Sequence, residues 1–136
     1  MSVLAEQYDP GIRYNGFLTN KKFGYGVGSG STVTQATNRA TGVTINTLSG
    51  QITTNGTSLA AEASAVFTVT NSAIAATDVI LLSIASGTVA LNTDVVVSAV
   101  AAGSFAITVI NNNAAAGTAE TGAIVINFIV LKGQSS

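Results

Sequence analysis

Residues 95–109 read VVVSAVAAGSFAITV, and this stretch decides the fold class. A β-branched run over 95–100 meets Gly103-Ser104, which has turn chemistry, and the chain returns through Phe105, Ala106, Ile107, Thr108 and Val109. Phe105, Ile107 and Val109 recur with a period of two, which places them on one face of a strand. The segment is therefore two strands joined by a tight turn.

The same period appears on either side. Residues 43–47 (VTINT) alternate, Ser49-Gly50 suits a turn, and 51–54 (QITT) return, which predicts a second hairpin. Further on, Ala65, Phe67 and Val69 face one way while Ser64, Thr68 and Thr70 face the other. Residues 79–84 (VILLSI) read as an apolar run, expected to be buried on both faces. Residues 111–117 read as a loop, and 58–63 offer at most a short helical turn.

The last strand, residues 123–131 (AIVINFIVL), is apolar on both sides apart from Asn127. A lone sandwich of this size has little to cover a second apolar face, so that face is expected to meet another subunit. Ile124, Ile126, Phe128 and Val130 are the expected subunit-interface residues. Seven or eight strands with Gly, Asn, Ser and Thr turns predict an all-β fold, an antiparallel β-sandwich or jelly-roll-like body over residues 31–136.

Residues 1–30 differ in character and read as an extended N-terminal arm with a glycine-rich hinge. They hold five of the eight aromatics and three of the five basic residues, whereas Arg39 and Lys132 are the only cations after Ser31. Tyr8, Arg13, Tyr14, Phe17, Lys21, Lys22, Phe23 and Tyr25 have the composition of interface anchors, and a protein partner fits them best. Three cations are a thin footprint for nucleic acid, so no nucleic-acid partner is expected. Asp9-Pro10-Gly11 is a turn signal. Glycines 24, 26, 28 and 30 alternate with other residues, but no GK[ST] follows, so a hinge is expected in place of a phosphate loop.

Composition narrows the chemistry. The 136 residues carry net charge −1 and are only 8% charged, against roughly 25% in an average soluble domain. Such a surface is polar but almost uncharged, and desolvating it costs little where its hydroxyls and amides stay hydrogen-bonded. Cys and His are absent, which removes thiolate chemistry, the usual neutral-pH proton shuttle and the commonest metal ligand. No catalytic, cofactor-binding or metal-binding residues are expected, nor enzyme activity.

Asp78 and Asp94 each precede an apolar run; side by side they would resemble a glycosidase pair, but solvated strand-start charges are the favoured reading. Phe67, Phe105 and Phe128 fall on apolar strand faces and are expected in the core. The N-terminal residues, with Glu6 and Asp9, do not read as a targeting segment. The uncharged stretch 95–119 is broken by Ser, Gly, Thr and Asn, so no membrane partner is expected.

The runs NRATGVTINTLSGQITT (38–54), AVFTVTNSAIAATDVILLSI (65–84), VAAGSFAITVINN (100–112) and AIVINFIVLKG (123–133) carry a resemblance. In them the body resembles small structural proteins of tailed bacteriophages, the capsid decoration, cement or head fibre proteins. The resemblance covers most of residues 31–133 and not the arm. It implies a homotrimer of β-sandwich subunits, made in the host cytoplasm and seated outside the phage head at threefold or quasi-threefold sites. There it would bind the major capsid protein and stabilise the shell. A fibre or tail-associated module binding a receptor or glycan, with pockets near Asn92 or 111–113, is the alternative expectation.

Overall fold

The computed structural model describes residues 24–134, which form eight strands and, among these residues, no helix. The strands are β1 (Gly30–Thr34), β2 (Val43–Thr44), β3 (Ser49–Thr53), β4 (Ser64–Thr70), β5 (Val79–Ser86), β6 (Thr93–Ala101), β7 (Ser104–Asn111) and β8 (Val125–Leu131). They form two four-stranded sheets packed as a β-sandwich, with orders β1-β3-β8-β5 and β2-β4-β7-β6, called sheets A and B below. Each sheet is mixed: β1 runs parallel to β3 and β2 parallel to β4, and the other pairs are antiparallel.

Every connection except β6 to β7 crosses between sheets. The expected hairpin at 95–109 is therefore the one hairpin among the described residues, with Ala101 opposite Ser104 and Gly103 at φ 81° in its turn. The second expected hairpin does not form. β2 pairs with β4 in sheet B, and β3 pairs with β1 and β8 in sheet A. Gly50 is not a turn residue; it lies inside β3, where a Cβ would overlap the Ser31 carbonyl oxygen and come within 3.0 Å of Ile45 and the Phe128 ring. Close approach of a neighbouring strand explains this glycine. Residues 58–63 hold a short turn and no helix: Ala63 N–H donates to the Ala60 carbonyl, and Glu62 at φ 62° cannot continue as a right-handed helix.

The core lies between the sheets. Phe67 and Val69 from β4, and Phe105, Ile107 and Val109 from β7, are buried against Ile52, Ile80, Ile126, Phe128 and Val130 of sheet A. The Phe105 and Phe128 rings meet across the interface at 5.6 Å between centroids, tilted by 50°. Ile124, Ile126, Phe128 and Val130 are each at most 3% exposed within this one chain. They are the inner row and are already covered by sheet B, so any face of β8 left for another subunit is the opposite one. The 79–84 run is likewise buried on one face only, because among the described residues sheet A is covered by sheet B on its inner side alone: Val79 is 53% and Leu81 49% exposed.

Candidate interaction surface

The outer face of sheet A follows from strand alternation. With 126, 128 and 130 turned inward, β8 presents Val125, Asn127, Ile129 and Leu131 outward. Cross-strand register then sets the rows. Leu131 stands opposite Val79; Ile129 lies between Leu81 and Ser49; Asn127 lies between Ser83 and Gln51. Thr32 and Thr34 extend the face onto β1. None of these residues is charged.

The face has an apolar half and a polar half. Val79, Leu81, Ile129 and Leu131 form the first. The second is neutral and partly satisfied already, with Gln51 Nε2 donating to Asn127 Oδ1 at 2.9 Å. Between β5 and β8 lies a shallow depression of about 190 Å³, lined by Leu81, Leu82, Ser83, Asn127, Phe128 and Ile129. The outer face of sheet B is unlike this: its exposed Val66 and Val96 flank Thr108, and the adjoining row carries Asp94 beside Ile110 and Ser64.

Of the arm residues singled out in the sequence, Tyr8, Arg13, Tyr14, Phe17, Lys21, Lys22 and Phe23 lie outside the described residues. Tyr25 is described, and its hydroxyl donates to the Val130 carbonyl of β8. The glycine-rich stretch forms a turn in which Ser29 N–H and Oγ both donate to the Gly26 carbonyl, at 3.2 and 2.6 Å, with Gly28 at φ 86°. The chain thus enters sheet A at the end where Val79 and Leu131 stand.

The opposite end is organised by two buried ions that the sequence reading passed over. Arg39, 3% exposed, donates to the carbonyls of Thr57 (2.5 Å), Glu120 (3.1 Å) and Gly122 (2.6 Å) and to Thr54 Oγ1 (3.3 Å). The Glu120 carboxylate is fully buried. It accepts from the N–H groups of Val89, Ala90 and Gly122 at 2.9–3.2 Å and from Thr93 Oγ1 at 2.7 Å. Burial opposes the Glu120 charge, but the Thr93 hydroxyl and the three N–H groups outweigh it and hold the carboxyl below its ordinary range. Burial lowers Arg39, and the nearby Glu120 charge offsets part of that. Together the two ions tie three connections, 54–60, 87–92 and 112–124, into one end of the sandwich. The available signal was scarcity: where charges are so few, one standing alone in an apolar body is kept there by a buried partner.

Asp78 and Asp94 are not brought together. Asp78 caps the turn that enters β5, accepting from Ala75 N–H (2.8 Å), Gly133 N–H (3.0 Å) and Lys132 Nζ (2.5 Å). Burial acts against its charge, and these donors more than compensate, holding the carboxyl low. This is the end of the β6–β7 turn, since Gly103 N–H donates to the Ile74 carbonyl. Asp94 opens β6 at the other end and accepts from Asn112 Nδ2 at 2.7 Å. The intervening seven residues of β6 correspond to about 23 Å of strand, too far for a paired acid and base. In the Asn-rich loop, Asn111 is buried and donates to the Leu59 and Thr118 carbonyls, so its amide serves the loop itself. Comparison with protein-family models, curated proteins and solved structures finds no match.

Proposed function

We propose that the chain is a structural component of a virus particle, a capsid decoration or cement protein of a tailed-phage head. In this reading it assembles as a homotrimer, grips the major capsid protein with its N-terminal arm and works by holding neighbouring subunits together; it is not an enzyme. The observation that carries the reading is the uncharged outer face of sheet A, with Val79, Leu81, Ile129 and Leu131 grouped at the end where the arm joins. A face without ions can be dried at little cost, and a contiguous apolar patch suits contact with another protein. The resemblance of the body to phage head proteins supplies the context.

Magnitudes show why an arm and a face would act together. Burying the still-exposed parts of those four side chains contributes about 3–4 kcal/mol. The freedom lost on association costs about 4 kcal/mol or more. The apolar patch alone therefore does not hold a neighbouring copy, so the uncharged polar half of the face must add contact between copies, while the arm supplies the separate attachment to the shell.

The test combines molar mass in solution with cryo-electron microscopy of the native particle. The full chain should be trimeric, and Leu81→Asp should weaken the trimer while leaving the β-sheet circular dichroism unchanged. Deleting residues 1–23 should give a folded oligomer that no longer decorates heads. Normal decoration by the truncated chain, or a strictly monomeric full chain, would refute the reading.

A further inference from the structure

We infer that the depression between β5 and β8 receives Leu91 from a second copy of the chain, so that copies join tip to face. The inference rests on the self-association proposed above and names the two surfaces that meet.

Leu91 stands at the tip of the 87–92 connection and is 97% exposed, with Val89 beside it at 52%. This exposure is enforced. Val89 N–H and Ala90 N–H both donate to the buried Glu120 carboxylate, and Ala90 is itself buried. On the other side the Asn92 carbonyl accepts from Asn112 N–H at 2.8 Å, and Thr93 Oγ1 donates to Glu120. With the backbone held on both flanks, Leu91 cannot turn inward as a leucine in a loose loop would. A rigidly presented aliphatic side chain loses little freedom on binding, which is the property of an interface anchor.

The depression is the matching surface on the same molecule. Leu81 and Ile129 supply apolar walls, Ser83 and Asn127 are short enough to leave the hollow, and neither it nor the 87–92 connection carries a charge. A cavity of about 150 Å³ accepts a benzene-sized apolar group, so one of about 190 Å³ has room for a leucine side chain. Leu91 is solvent-exposed and so does not fill the depression of its own chain. Knob and socket lie on different surfaces, which makes the contact heterologous; such contacts close into rings where the rotation allows. Packing sheet A face to face would leave Leu91 in water.

The chain has no cysteine, which gives cross-linking a clean readout. Full-length Leu91→Cys and Ser83→Cys variants are prepared singly, treated with a short bismaleimide alone and mixed, and run on denaturing gels. The expected result is a cross-linked dimer only in the mixture, and closed covalent rings from the double variant. Leu91→Asp should also weaken association by roughly tenfold to a hundredfold, the equivalent of one buried leucine. Cross-linking of Ser83→Cys with itself, or no product in the mixture, would overturn the inference. If Leu81→Asp dissociates the oligomer while Leu91→Asp does not, face-mediated association stands and the Leu91 contact is wrong. A wild-type chain that is monomeric throughout removes both.

Discussion

Replacing Glu120 by alanine should be among the most damaging single changes in the body, although residue 120 lies in a loop. The substitution removes the acceptor for Val89, Ala90 and Gly122 N–H and for the Thr93 hydroxyl, and takes away the nearby countercharge of Arg39. Each stranded donor costs about 1–3 kcal/mol, but the losses share one small cavity and do not add in full. Removing one member of a buried charged network typically costs about 3–5 kcal/mol, and we expect a loss in that range. At about 4 °C per kcal/mol for a body of this size, the melting temperature should fall by roughly 12–20 °C. Glu120→Gln keeps the shape and one acceptor but turns an amide toward backbone donors, so it should lose about half as much. Differential scanning calorimetry measures both. Hydrogen exchange gives the local readout: Val89 and Ala90 amides should be protected in the wild type and exchange freely in the alanine variant. A Glu120→Ala protein melting within about 2 °C of wild type, with those amides still protected, would refute the reasoning.

Acid should weaken the fold through Asp78 and Glu120. Both carboxyls are held below their unfolded values near pH 4, so their stabilisation is complete above that pH and is lost as pH falls through the lower folded values. Melting temperatures should be level from pH 7 to 5 and drop below about pH 4, with a shallower drop for Asp78→Asn. Ile126→Asp or Phe128→Asp places a charge between the sheets and should abolish folding, read as loss of a cooperative melt; Phe128→Ala should cost about 3–5 kcal/mol in urea unfolding. Gly87→Ala should cost about 2–4 kcal/mol, because Gly87 has φ 93° and a Cβ there would overlap the Ala123 carbonyl oxygen.

Local pattern alone located most of the strands and sorted the residues of each into two faces. Phe67 and Val69, and Phe105, Ile107 and Val109, sit in the core as their period-two spacing requires, since alternation is a property of a single strand. The β6–β7 hairpin was also legible, because turn and strands adjoin in the chain. Which strands become neighbours was not. The alternation in 43–54 is the same whether the chain folds back as a hairpin or crosses between sheets, and only the pairing of β2 with β4 and of β3 with β1 and β8 separates the two. That pairing also decided which face of β8 is inside, placing Ile126, Phe128 and Val130 in the core and Ile129 and Leu131 on the outer face. The partnership of Arg39 and Glu120 spans 81 residues, and neither position has a local pattern that reveals it. Local alternation assigns each side chain to a side of its strand; long-range pairing and burial decide what lies on that side.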